Sequence, residues 1–94
     1  MKENILNWAK ERNLLKPENQ TKQFIKLAEE VGELGAAILK NDIIKIIDGI
    51  GDIQVVLIIL SEQLNLDYDS CLAAAYEEIK DRKGKTINGT FIKE

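Results

Sequence analysis

The chain contains no histidine. That absence removes serine–histidine triads, imidazole bases and the commonest zinc sites together. Only one cysteine, Cys71, is present, so no disulfide can form within the chain, which fits a reducing compartment. With no histidine to activate it, Cys71 reads as a small apolar helix residue rather than a nucleophile. Proline occurs once, at Pro17, and aromatic residues make up 5% of the chain. The longest apolar run, Val55 to Leu60, is far too short to span a bilayer. No uninterrupted apolar core lies near Met1, so no secretory signal is visible and a soluble, cytoplasmic chain is expected. Thirteen basic residues against 16 acidic ones leave a net charge of −3, which argues against a general nucleic-acid binder. Hydrolytic chemistry would have to rest on carboxylates, lysines or a metal held by oxygen.

What is present is a helical pattern. Ninety-four residues, 45% hydrophobic and 31% charged, predict one domain over 1–94. A first helix is expected over Glu3–Arg12, with Ile5 and Trp8 on one face. Core packing is the preferred role for Trp8 over stacking on a base. Pro17 opens a second helix, to about Lys40, on which Phe24, Leu27, Val31, Leu34 and Ile38 form an apolar stripe. Gly32 and Gly35 within it read equally as room for close packing or as simple tolerance. Asn41 is the expected N-cap of a third helix, Asp42 to about Leu64. The β-branched stretch from Ile53 could be a strand, but the unbroken pattern is too long for one. That helix is apolar nearly all round, so a partner chain is expected to cover it. Asp67 or Asp69 caps a fourth helix to about Arg82, with Leu72, Ala75, Tyr76 and Ile79 inward and Gly84 as its stop. The tail, about 85–94, carries the turn signal Asn88-Gly89 and reads as a hairpin, a swapped arm or a disordered end. The expected fold is all-α: an antiparallel helical hairpin core of about four helices in an oligomeric bundle.

Two carboxylate patterns stand out. At about 100° per residue, Gln23, Lys26, Glu29, Glu30 and Glu33 fall within about 60° of Lys26 and share one stripe of the second helix. Asp48 and Asp52 are neighbours on the third helix, flanked by Lys45 on one side and by Val55 and Ile59 on the other. Like charges among apolar residues raise each other's pKa, and a bound cation relieves them. Across an antiparallel hairpin Glu33 matches Asp48 in height, and Glu30 matches Asp52. Four converging carboxylates are hard oxygen ligands that suit Mg²⁺ or Mn²⁺ rather than zinc. A solvated acidic face is the simpler reading of Glu-Glu-x-x-Glu taken alone.

Lys26-Leu-Ala-Glu-Glu-Val-Gly-Glu-Leu34 and Asp48-Gly-Ile-Gly-Asp52 resemble the paired motif of the MazG-like, all-α nucleoside triphosphate pyrophosphohydrolases: E-E-x-x-E on one helix, then E-x-x-D or E-x-x-x-D on the next. The resemblance extends from Trp8 to the Lys80–Lys85 segment. It implies hydrolysis of an acid anhydride, a nucleoside triphosphate giving monophosphate and pyrophosphate. It implies Mg²⁺ held by Glu30, Glu33 and Asp52, with Asp48 as the fourth ligand and Glu29 as a further ligand or the base that orients water. Lys80, Arg82, Lys83 and Lys85 would meet phosphate oxygens, and Gln23 and Lys26 the base or phosphates. A homodimer or homotetramer is implied, with its site near a subunit interface. One position departs from the pattern: in the E-x-x-D form the glutamate would fall at Gly49. That departure supports a competing reading, a non-catalytic helical oligomer serving as a regulatory or partner-binding module.

Overall fold

The computed structural model describes residues 1–94 as four α-helices followed by a β-hairpin. Helix α1 spans Lys2–Glu11, α2 Gln20–Leu39, α3 Ile43–Gln63 and α4 Tyr68–Ile79; strand β1 is Gly84–Ile87 and β2 is Thr90–Lys93. A 3₁₀ turn at Pro17–Asn19 leads into α2. Proline suits such a start because its φ is preset and its missing N–H is not needed there.

Every connection except that between α4 and β1 turns on an asparagine. Asn13, Asn41, Asn65 and Asn88 all adopt positive φ, between 50° and 60°. Asparagine visits that left-handed region more readily than other side chains because its short amide can bond locally. Asn41 therefore closes α2 and does not cap α3, contrary to expectation, since an N-cap needs an extended backbone. The cap is Asp42, whose carboxylate accepts a hydrogen bond from the Lys45 N–H at 3.2 Å. Asp67 caps α4, accepting from the Ser70 N–H at 2.9 Å. Helix α4 ends at Ile79, short of Arg82, and Gly84 opens β1 instead of stopping the helix. The tail takes the hairpin form, with Gly84 opposite Lys93 and Ile87 opposite Thr90. Asn88 and Gly89 are both at positive φ, as a tight hairpin turn of this hand requires. Gly84 is needed where it stands: a Cβ would overlap the Ile92 carbonyl and the Phe91 ring.

Helices α2 and α3 pack against each other, and α1 lies on α3. The inward residues of α2 are Gln23, Leu27, Glu30, Leu34 and Ala37; those of α3 are Gly49, Asp52, Val56, Ile59 and Gln63. Both sets advance in alternating steps of three and four, the spacing of a helix–helix seam. Phe24, Val31 and Ile38, expected on the inner stripe, are half or more exposed. The apolar surface of α2 is wider than one neighbour covers, and α3 takes the edge nearest the acids. Two side-chain amides pin the arrangement. Gln23 donates to the Val56 carbonyl at 3.3 Å, and Gln63 to the Leu14 carbonyl at 2.6 Å.

Much apolar surface stays uncovered. In α3, Val56, Ile58 and Ile59 are buried, while Ile43, Ile44, Ile47 and Ile50 are exposed, so the all-round burial expected of this helix is not met within one chain. Helix α4 packs only against α3, and the hairpin against nothing but itself. Leu72, Tyr76 and Ile79, expected to face inward, are exposed for that reason. Trp8 is half-exposed rather than in the core, with the Arg12 guanidinium 4.4 Å from its ring centre. No helix is long and apolar enough to cross a membrane.

The starts of α1 and α4 are tied by charge: Lys2 reaches Asp67 at 2.5 Å and Asp69 at 2.9 Å. The bond from Lys2, then those from Ser70, pull the Asp67 carboxyl down to about 2. A carboxylate whose folded pKa is depressed stabilises the fold fully above its unfolded value and loses that contribution as the pH falls through the folded one. Asp67→Ala should lower the urea midpoint at pH 7. The gap to wild type should close between about pH 4, the unfolded value, and about pH 2. Urea titrations across that range check this; a gap independent of pH would refute it.

Candidate active site

The seam between α2 and α3 buries charge. Glu30 is 6% exposed and sits between Leu27 and Leu34 in the α2 seam. One of its oxygens lies 3.2 Å from the Lys26 ammonium, and the other is buried with no hydrogen-bond partner. A buried carboxylate oxygen left unpaired is costly. The Glu30 carboxylate, by its hydrogen bond and then its charge, holds the Lys26 ammonium above its usual range. Glu29 is exposed, 3.9 Å from the same ammonium.

Asp52 lies in the seam of α3, and its carboxyl is pushed above the usual range. Burial is the first cause, followed by the negative charges of Asp48 and Glu30; Lys26 pulls the other way. Glu33, Asp48 and Asp52 line one cavity of about 380 Å³, together with Ala36, Ala37, Lys40, Lys45 and Gly49. Asp48 and Asp52 also border a second groove of about 440 Å³, whose apolar lining is Met1, Ile5, Ile47, Val55 and Ile58. The aspartate pair therefore divides a mixed-charge cavity from an apolar one.

The five acids share this region, but no three are drawn into a compact ligand set in the rotamers shown. Like charges at close range repel unless a cation lies between them, and the cation nearest Glu30 is the Lys26 ammonium. Other sequence candidates sit differently. Gln23 spends its amide on the Val56 carbonyl. Lys80 is paired with Glu77 at 2.8 Å, and Lys80, Arg82 and Lys83 line neither cavity.

Gly49 has a packing role. A Cβ at that position would stand 3.3 Å from the Cβ and Cδ1 of Leu34, so α3 meets α2 there closely enough that a side chain would require Leu34 to yield by a few tenths of an ångström. Gly49 and Asp48 both line the cavity, and Asp48 brings a carboxylate to it without the tight Leu34 contact that a Cβ at position 49 would make.

A family model for the MazG nucleotide pyrophosphohydrolase domain matches residues 19–87, which include α2, α3, α4 and both acidic patterns. The chain belongs to that family. Membership points to a pyrophosphohydrolase-type hydrolase, and members are generally dependent on a divalent metal. An uncharacterised 18.2 kDa protein encoded in the rep–hol intergenic region of Haemophilus phage HP1 is 50% identical over 66 residues. The match covers 68% of this chain and 39% of that protein, so the chain spans well under two thirds of the relative's length. No solved structure matches the chain.

The donor set of this MazG domain fits a hard divalent cation. Its ligand candidates are all carboxylates, the buried Glu30 oxygen lacks a partner, and the Asp52 carboxyl is pushed up by burial and then by its neighbours' charge. Residues that the sequence patterns did not single out as site residues are Lys40, Lys45, Met1 and Ile5. For the lysines a signal existed, since each stands seven residues from a ligand candidate. For Met1 and Ile5 none did, because their place against α3 is a tertiary matter.

Two stability outcomes follow. Gly49→Glu sets overpacking against Leu34 against the roughly 1 kcal/mol that replacing a mid-helix glycine returns, so a net loss of at most about 2 kcal/mol is expected, with no gain in metal binding. Chemical denaturation with parallel Mn²⁺ titration tests this, and tighter Mn²⁺ binding would contradict the packing role of Gly49. For Asp52, a raised folded pKa means that the folded state binds the extra proton. Stability is therefore lost as pH rises from the unfolded value through the folded one. Asp52→Asn should accordingly raise Tm at pH 7 in chelator; an unchanged or lower Tm would show that the charge is not strained.

Proposed function

We propose that this MazG domain hydrolyses nucleoside triphosphates to the monophosphate and pyrophosphate, using Mg²⁺ or Mn²⁺ held by Glu30, Glu33, Asp48 and Asp52. The observation that carries the reading is the buried, unpartnered oxygen of Glu30 in a seam shared with Asp52, whose own carboxyl is pushed up by burial and by nearby acids. Such a cluster costs stability, and a cation of high charge density offsets the cost. When bound, the metal neutralises phosphate charge and lowers the pKa of water. The protein supplies the rest. Glu30 and Asp52 hold their carboxylates in the rigid seam, and Glu33 and Asp48 present theirs to the cavity. Glu29, exposed beside Lys26, would be a further ligand or the base that orients the attacking water and accepts its proton. The apolar groove beyond the aspartates suits a nucleoside, with Ile5 and Ile47 among the aliphatic residues that would meet its base.

The working form we propose is a homodimer or homotetramer. The chain exposes 7370 Å², against about 5,500 Å² for a compact monomer of its mass. Its radius of gyration is 15.9 Å, where a compact chain of this length has about 12 Å. The excess exceeds the roughly 800 Å² per partner of a standard interface. The exposed isoleucines of α3 and the outer stripe of α2 are the faces a second copy would cover.

The test is product analysis over a panel of dNTPs and NTPs, with and without Mg²⁺. Metal-dependent pyrophosphate release is expected. Glu33→Gln and Asp52→Asn should each reduce it at least about a hundredfold, the upper end of what losing a mere supporting residue costs. The helical circular dichroism should be unchanged. Turnover at wild-type rates in both variants would end the site assignment. No turnover by wild type, with no Mg²⁺-linked rise in Tm, would favour the non-catalytic module.

A further inference from the structure

The cavity that holds the acids has a second chemical end. Lys40, the residue that follows α2, stands seven residues after Glu33, and Lys45 and Asp52 stand seven apart on α3. Seven residues are two helical turns, about 10.5 Å of rise, and return a side chain to nearly the same face. The two helices run in opposite directions, so both lysines fall at the end near the α2–α3 turn and Glu33 and Asp52 at the other. Between these ends lie Ala36 and Ala37 on one side and Asp48 and Gly49 on the other. The result is one trough whose acids, Glu33, Asp48 and Asp52, lie away from the turn and whose two lysines lie beside it.

Neither lysine is engaged. Both line the cavity with three carboxylates, yet neither comes within ion-pair distance of any acid; the chain's other pairs involve Lys2, Arg12, Lys26 and Lys80. Two lysines without an ion-pair partner, both lining one trough, suit a multiply charged anion. An anion with both a metal-seeking end and a free charged end, lying along the trough, is a polyphosphate.

We propose that Lys40 and Lys45 form a polyphosphate subsite, which binds the phosphoryl groups that leave as pyrophosphate while the acidic end holds the metal. The subsite rests on the function proposed above, and it assigns the phosphate contacts to these residues rather than to Lys80, Arg82 and Lys83. Its placement also orders the substrate. The nucleoside lies in the apolar groove beyond Asp48 and Asp52, and the chain of phosphates runs toward the helical turn.

The experiment is calorimetric titration of the full chain, first with Mn²⁺ alone and then with inorganic pyrophosphate at saturating Mn²⁺. It compares wild type, Lys40→Gln/Lys45→Gln, Lys40→Arg/Lys45→Arg and Lys80→Gln/Arg82→Gln/Lys83→Gln. The glutamine pair should bind Mn²⁺ as wild type does and lose pyrophosphate affinity at least tenfold. The arginine pair should retain it, and the triple variant should change little. In turnover, the glutamine pair should raise KM for the triphosphate more than it lowers kcat. Equal pyrophosphate affinity in wild type and the glutamine pair overturns the subsite, as does a loss confined to the triple variant. If wild type binds no Mn²⁺, the metal assignment fails on its own. Pyrophosphate titrated at low ionic strength without metal then decides the lysines, because only a difference between wild type and the glutamine pair sustains them.

Discussion

Helices α2 and α3 meet along a seam that contains both aliphatic side chains and carboxylates, and the other elements take their places from it. Leu27, Leu34, Val56 and Ile59 supply apolar contact, and Glu30 and Asp52 lie in the same rows. Hydrophobic contact holds the helices close enough that a carboxylate between them loses water. That loss raises the Asp52 pKa and leaves one Glu30 oxygen without a partner. The electrostatic strain is thus a product of the packing, stored where the proposed chemistry occurs. Gly49 lets the helices come close, since a Cβ there would press on Leu34 at 3.3 Å.

The same geometry separates the site into ends of different character. Asp48 and Asp52 face two cavities, one lined by aliphatic residues of α1 and α3, the other by acids and lysines of α2 and α3. A nucleoside triphosphate has this order: an apolar, stackable base, then a charged chain that wants cations. Two secondary-structure facts produce the match. A helix repeats its face after seven residues, and an antiparallel partner repeats it in the reverse direction. Lys40 and Lys45 flank the short turn, so the basic end of the trough is set by where the chain reverses.

The outer surface follows from the same small seam. A chain of 94 residues that uses one helix pair as its core cannot also cover the far sides of those helices. Ile43, Ile44 and Ile47, the outer stripe of α2 and the apolar side of α4 remain exposed. An isolated two-stranded hairpin is marginal in water, and this one rests on no other element. The proposed oligomer would resolve all of these with one kind of contact.

Local chemistry made much of the fold readable in the amino-acid sequence. Helical periodicity gave the helices and their approximate limits, Pro17 and Asp67 marked starts, and Asn88-Gly89 marked the hairpin turn. The acidic patterns on α2 and α3 were readable because neighbours on a helix face depend only on spacing. The asparagines at four of the connections were equally local, and only the backbone conformation shows that Asn41 ends one helix instead of starting the next. Which edge of α2 turns inward was not local. Phe24, Val31 and Ile38 are as apolar as the seam residues, and only the position of α3 selects Gln23, Leu27, Glu30, Leu34 and Ala37 over them. Burial of Glu30, the packing role of Gly49, the groove that Met1 and Ile5 share with α3, and the pairing of Lys40 with Lys45 all follow from that selection. Spacing along a chain determines which residues can share a face, but only contact between helices decides which face loses its water.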